Sequence, residues 1–135
     1  MIAVIDANIA VALLVDIAYS QAAHAAVKSA ESLIAPDIII PEVSNAFWKM
    51  ARVEPGLIAH LQKAMAFLPK LLDEKLDAAW FANAALNLAL QHNHPTYDCY
   101  YLLAAQTAKA TLLTADRKLF ALAQQTQTSA QLITP

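Results

Sequence analysis

The order of apolar and polar residues divides the chain into short buried strands separated by helices. Strands are predicted at Met1–Ile5, Leu33–Ala35, Ala110–Thr114 and Gln131–Ile133, with a possible edge strand at Lys70–Leu72. Helices are predicted at Ile9–Val15, from an N-cap at Ser20 to about Ala30, at Ile38–Val53 and Leu57–Leu68, from Asp73 or Asp77 to about Leu90, from an N-cap at Thr96 onward, and at Arg117–Gln125. This alternation predicts an α/β fold in which a mainly parallel sheet is sandwiched between helices.

Aspartates follow the first predicted strand and the strand that ends at Thr114. These residues are Asp6 and Asp116, and right-handed crossovers place the carboxyl ends of their strands side by side or nearly so. Asp98 lies in the first turn of an apolar helix, where its charge meets the positive end of the helix dipole. Carboxylates at one edge of a sheet repel each other unless a cation or a proton lies between them, so this pattern indicates a cation site.

A further acid, Glu42, lies near the start of the helix predicted after the second strand. It shares one stripe of that helix with Asn45 and Lys49, because positions i, i+3 and i+7 fall on the same face. Most other residues of the segment are apolar, and an acid among them needs an explanation. Either Glu42 is an exposed residue favoured by the helix dipole, or it joins the aspartates at the edge of the sheet.

Together these four acids would form an all-oxygen site, which is the kind that Mg²⁺ and Mn²⁺ prefer. A divalent cation there would remove the repulsion, bind a phosphodiester and lower the pKa of a water molecule. No serine or cysteine stands in a nucleophile motif, so covalent catalysis is not indicated. The segment His92–His94 has a spacing found in metal sites, but we interpret it as a polar helix exit before Pro95.

The hydrophobic fraction is 59%, above the roughly 45–50% usual for soluble domains. We therefore expect some apolar surface to face a partner or a second copy of the chain. The candidates lie on the predicted helical hairpin and are Phe47, Trp48, Met50, Met65 and Phe67. A place in the ordinary hydrophobic core explains the same residues equally well.

Charge and cysteine content limit the partners and the compartment. The formal net charge of −2 permits a nucleic acid partner without predicting one. No apolar run reaches the roughly 18 residues of a membrane span, and the start of the chain lacks the features of a signal peptide. The only cysteine, Cys99, has no partner for an internal disulfide. We expect a cytoplasmic protein with no membrane association and a single domain over residues 1–135.

Four segments of the chain resemble the PIN domain, and in size and wording they are similar to the toxin ribonucleases of bacterial VapBC-type toxin–antitoxin pairs. The segments are VIDANIAVALL, PEVSNAFWKM, TYDCYYLLAA and LLTADRKLF. They follow one another in the order of the family and span almost the full length. The resemblance implies a PIN-like three-layer sandwich with about five parallel strands, cleavage of RNA that depends on Mg²⁺ or Mn²⁺, and a cognate antitoxin that blocks the site. A homodimer is also expected.

The resemblance assigns roles to individual residues. The acidic quartet of the family falls on Asp6, Glu42, Asp98 and Asp116. The polar helpers beside the first and last of these acids fall on Asn8 and Thr114, while Asn45 and Arg117 are candidates for contact with substrate or with the acids. For Arg117, a place at a solvated helix start explains the residue equally well.

Two departures from the family pattern bear on activity. Ala7 replaces the usual small polar residue after the first acid, and Leu119 stands where many relatives carry a further acid. The second change keeps open the alternative of a catalytically weakened PIN-like binding or scaffold module. Other enzyme classes fit less well, because a haloacid-dehalogenase-like phosphatase needs an aspartate at position 8 and a receiver domain needs an acid pair at the first strand.

Overall fold

A five-stranded, fully parallel sheet lies at the centre of the computed structural model, which describes residues 1–135. Its strands are β1 (Ile2–Ile5), β2 (Ser32–Pro36), β3 (Glu74–Leu76), β4 (Thr111–Thr114) and β5 (Ala130–Leu132). Their order in the sheet is β3-β2-β1-β4-β5. The central strand β1 pairs with both β2 and β4, and its last three residues are completely buried. A strand covered on both faces needs an unbroken apolar run, which is what this segment provides.

Helices connect the strands in two layers. They are α1 (Ala7–Leu14), α2 (Ser20–Val27), α3 (Ile39–Val53), α4 (Ile58–Leu71), α5 (Ala82–His92), α6 (Thr96–Ala108) and α7 (Arg117–Gln125). The chain moves from β1 towards β3 on one side and then from β4 to β5 on the other. Right-handed crossovers therefore place α1 to α4 on one face of the sheet and α5 to α7 on the opposite face. The predicted α/β sandwich with five parallel strands is confirmed.

Several predicted boundaries are wrong. The third strand is Glu74–Leu76 rather than Lys70–Leu72, because α4 continues through Pro69 to Leu71 and takes up the apolar residues. The long helix expected before His92 begins as a 3₁₀ turn, Ala78–Phe81, and becomes α-helical only at α5.

Two predicted N-caps are displaced by one residue. Pro95, in an extended conformation, occupies the cap of α6, and Thr96 is the first helical residue. Ser20 is likewise the first residue of α2, where its hydroxyl donates to the carbonyl of Val15 and accepts from the N–H of Ile17. In both cases the polar side chain marks the helix start without capping it.

The hairpin formed by α3 and α4 divides its aromatic and sulfur residues between core and surface. Phe47 is buried, and Met50 and Met65 pack against the core. Trp48 and Phe67 are 53% and 52% exposed. The hairpin thus has both a core face and an apolar outer surface. None of the helices combines the length and apolar character needed to span a membrane.

Candidate active site

Asp6 lies directly after β1 and forms the N-cap of α1. Its Oδ1 accepts from the N–H of Ile9 at 3.0 Å, and its Oδ2 accepts from the hydroxyl of Thr114. Thr114 is the last residue of β4, and the pairing of Ile5 with Leu113 brings it beside Asp6. The parallel register of β1 and β4 therefore fixes this carboxylate, which is only 5% exposed.

Asp116 reaches the same edge of the sheet as the N-cap of α7. Its Oδ1 accepts from the N–H groups of Lys118 at 2.8 Å and Leu119 at 3.3 Å. Its own N–H donates to the Thr114 hydroxyl oxygen at 3.0 Å. Thr114 therefore contacts both aspartates, in the place where the sequence predicts a polar helper.

Asp98 lies in the first turn of α6 and is partly buried. The Nε2 atom of His94 lies 2.9 Å from its Oδ2. An ionised carboxylate can only accept, so in that state of Asp98 the hydrogen is carried by Nε2. From the sequence, His94 is predicted only to be part of a polar helix exit. The spacing of four residues between His94 and Asp98 could have indicated this contact, because residues four apart lie on the same face of a helix. Pro95, between them, instead indicates that the helix ends before Asp98.

Glu42 projects from the first turns of α3 and is partly buried. The hydroxyl of Tyr101, a residue of α6 that is 1% exposed, donates to its Oε1 at 2.7 Å. This bond joins two helices that lie on opposite faces of the sheet. Sequence reasoning missed Tyr101, since nothing in the order of residues links positions 59 apart. The only local signal is a tyrosine one turn after Asp98 in an apolar helix.

Burial and the charge of at least one neighbouring acid raise the pKa values of Asp6, Glu42 and Asp98. Burial is the main cause at Asp6, whose pKa rises to about 7 although the bonds from Thr114 and Ile9 oppose the change. The charges of Asp98 and Asp116 raise the pKa of Asp6 further. Such an influence of Asp98 and Asp116 on Asp6 is expected of acids that lie near one another at this edge of the sheet.

The pKa values of Glu42 and Asp98 follow the same pattern. Burial raises each of them, and the nearby charges of Asp98 and Asp116, respectively, act in the same direction. The bonds from Tyr101 and His94 oppose the rise. The pKa of Tyr101 is itself raised far above its usual value by burial and by the carboxylates, so its hydroxyl remains a neutral donor.

The donor chemistry of the acids fits a hard divalent cation. All four offer carboxylate oxygens, and a positive charge between them would offset the repulsion among their negative charges. No group of three or more His, Cys, Asp or Glu side chains is already arranged as a metal cage. Mg²⁺ commonly takes only one or two protein carboxylates and fills its other positions with water and substrate phosphate, so this ion does not require a complete protein cage.

A groove of about 820 Å³ runs beside the acids between α1 and α3. Glu42 lines it together with Asn8, Asn45 and Lys49. Tyr19 lines it too, and burial together with the charge of Asp6 raises the pKa of this tyrosine. The groove therefore adjoins the acidic site at Glu42, and it is lined by Asn8 and Asn45, two of the predicted substrate residues.

Arg117, the remaining candidate for substrate contact, and Leu119, which stands where relatives are expected to carry a further acid, both lie on α7. Arg117 is exposed at the start of this helix and does not line the groove. Leu119 is completely buried, so the position where many relatives carry an acid is part of the core.

Comparison with known proteins identifies related sequences and a related structure. The sequence profile of the PIN domain matches residues 3–125. The chain is 35% identical over 121 residues to Ribonuclease VapC3 of Pyrobaculum aerophilum, covering 86% of this chain and 90% of that protein. It is 32% identical over 109 residues to Exonuclease VapC9 of the same organism, covering 76% and 77% respectively. The crystal structure of PAE2754, also from Pyrobaculum aerophilum, matches with a TM-score of 0.64 at 27% identity, over 90% of this chain and 87% of that one.

Proposed function

Because this chain belongs to the PIN domain family, we propose that it is a ribonuclease that depends on Mg²⁺ or Mn²⁺. The observation that carries the proposal is the group of acids at one edge of the sheet, where Thr114 contacts both Asp6 and Asp116 and the charges of Asp98 and Asp116 raise the pKa of Asp6. The proposed metal-binding and catalytic residues are Asp6, Glu42, Asp98 and Asp116. When bound, the cation would supply Lewis acidity for hydrolysis of an RNA phosphodiester.

The protein side chains would position the substrate and the acids. Thr114 holds Asp6 and the backbone of Asp116 in register. Asn8 and Asn45 would contact the nucleotide that enters the groove, while the cationic Arg117 would attract a phosphate at the start of α7. The amides of Lys118 and Leu119 are already occupied by Asp116, so they orient that acid and are not free for substrate.

We propose internal cleavage of the RNA strand, because the groove adjoins the acids along α3 and is open to solvent. One similar protein is named a ribonuclease and another an exonuclease, so the position of the cut needs its own measurement. A circular RNA has no ends. Its conversion to a linear product would establish internal cleavage, and its complete resistance beside rapid loss of the linear form would contradict it.

We also propose that the chain is a toxin that pairs with an antitoxin in the cytoplasm, which the similarity to two VapC-named proteins supports. The exposed Trp48 and Phe67 make the α3–α4 hairpin the proposed surface for an antitoxin or for a homodimer. Light scattering and an antitoxin titration test this proposal. A monodisperse monomer with no affinity for the protein encoded by the neighbouring reading frame would contradict it.

The second candidate is a PIN-like scaffold with weakened catalysis, and the buried Leu119 favours it. Cleavage of end-labelled RNA separates the two candidates when measured with Mg²⁺, with Mn²⁺ and with a chelator. The enzyme proposal predicts that Asp98→Asn loses about 100-fold in rate, because the substitution removes a negative charge and a proposed metal ligand. The control is Asp16→Asn, an exposed aspartate outside the site. Equal rates for wild type and Asp98→Asn, or no cleavage by either, would favour the scaffold.

A further inference from the structure

We propose that His94 and Tyr101 are positioning residues, each of which fixes one oxygen of a metal-binding carboxylate so that the other oxygen faces the cation. This inference rests on the function proposed above and extends it to two residues outside the acidic quartet. Each residue acts through the acid that it contacts and is not itself a ligand. The two carboxylates concerned are those of Asp98 and Glu42.

The four acids differ in the donors available to orient them. Asp6 and Asp116 are N-caps, so backbone N–H groups of their own helices hold them. Asp98 and Glu42 lie inside the first turns of α6 and α3 and accept no backbone N–H. A side chain from another position must therefore supply the missing hydrogen bond. His94 and Tyr101 supply it.

Tyr101 reaches Glu42 from the opposite helical layer. Its ring is almost fully buried in the core, and its hydroxyl donates to Oε1 at 2.7 Å. The packing of the ring fixes the position of this donor, while Oε2 of Glu42 has no hydrogen-bond partner in the chain. A glutamate side chain has three rotatable bonds, so such a fixed contact removes much of its conformational freedom before a ligand binds.

His94 lies in the short link between α5 and α6, where contacts hold both its backbone and its side chain. Asn93 before it adopts a left-handed conformation with φ 50°, and the N–H of His94 donates to the carbonyl of Ala89 at 3.1 Å. The imidazole is only 10% exposed and meets Oδ2 of Asp98 at 2.9 Å. Oδ1 of Asp98 is left without a partner in the chain.

Hydrogen-bond donors to a metal-binding carboxylate fix its orientation. Removal of such a donor typically weakens metal affinity by about 10- to 100-fold. Isothermal titration of the metal-free full-length chain with Mn²⁺ measures this effect without reference to cleavage. We expect Tyr101→Phe and His94→Leu each to raise the Kd for Mn²⁺ by about tenfold. The isosteric donor in His94→Gln should restore most of the affinity, since its amide nitrogen reaches about as far as Nε2.

Two control variants remove a tyrosine hydroxyl or an imidazole from a residue close in sequence to Tyr101 or His94. Tyr100→Phe changes the neighbouring tyrosine, and His92→Leu changes the last residue of α5. Both should bind Mn²⁺ as the wild type does. Urea unfolding of all variants identifies any that has lost its fold, and the inference predicts that affinity falls even where unfolding is unchanged.

The possible outcomes separate this inference from the function on which it rests. Wild-type binding of Mn²⁺ with an unchanged Kd in Tyr101→Phe and His94→Leu would overturn the positioning role and leave the metal site standing. Equal losses in His94→Gln and His94→Leu would overturn the role of the Nε2 donor. A wild-type chain that binds no Mn²⁺ would overturn the metal site itself, and the positioning role with it.

Discussion

Asp6 is the most deeply buried of the four acids, and its charge is the hardest for the fold to accommodate. Its carboxylate accepts two hydrogen bonds, yet its pKa still rises to about 7 because burial outweighs them. Each hydrogen bond recovers only part of what the carboxylate loses on leaving water. In the absence of a cation, the ionised form of Asp6 therefore destabilises the folded chain.

The folded chain without metal should lose stability as the pH rises. The pKa of Asp6 is about 7 in the folded chain and 3.8 for an unperturbed aspartate, so the folded state retains the proton to higher pH. The free energy of unfolding should fall between about pH 4 and pH 7, by up to about 4 kcal/mol from this residue. Asp6→Asn cannot ionise and should remove most of this slope. Urea unfolding with a chelator at pH 5 and pH 8 measures it, and an equal pH slope in the two proteins would contradict the account.

Helices and strands could be predicted from the sequence where a capping residue or a regular apolar pattern marks their ends. The helix Arg117–Gln125 has the predicted bounds because Asp116 is a strong N-cap and the apolar spacing is regular. Strand β3 could not be predicted, since it is a short edge strand with the exposed Glu74 and Lys75. An edge strand buries little apolar surface, so its pattern does not differ from that of a loop.

The same reasoning explains which parts of the candidate site were predictable. Asp6 and Asp116 follow strands, and the handedness of crossovers fixes where such ends meet. The contact between Tyr101 and Glu42 depends on the distance between two helices in different layers. No periodicity within either helix reports that distance, so only the folded structure could reveal the contact.

Helix α3 carries Glu42 at the acidic site and Lys49 further along the groove. Lys49 forms no ion pair with Glu42, which leaves its charge available to an RNA phosphate. Lys49→Ala should raise KM for RNA several-fold at low salt, leave kcat nearly unchanged and reduce the slope of log affinity against log salt by about 1. Steady-state cleavage at several salt concentrations tests this. Lys63→Ala, an exposed lysine of α4 outside the groove, is the matched control, and equal effects in both variants would contradict a specific role.

At the scale of the whole molecule, the site forms where both helical layers meet the end of the sheet. Glu42 comes from the layer of α1 to α4, Asp98 comes from the layer of α5 to α7, and the other two acids follow the central strands. Segments from the beginning, middle and end of the chain therefore have to fold before the acids can converge. The apolar core stabilises an arrangement that the charges alone would oppose.

Ribonuclease activity of the proposed kind requires a divalent cation bound by carboxylates of this acidic group. Anomalous diffraction from crystals soaked in MnCl₂, collected above and below the manganese absorption edge, locates the cation directly. We expect one peak or two within about 2–3 Å of carboxylate oxygens of Asp6, Glu42, Asp98 or Asp116, and no such peak in Asp116→Asn crystals at the same Mn²⁺ concentration. Soaked wild-type crystals without manganese at this edge of the sheet, or with manganese only elsewhere, would contradict it.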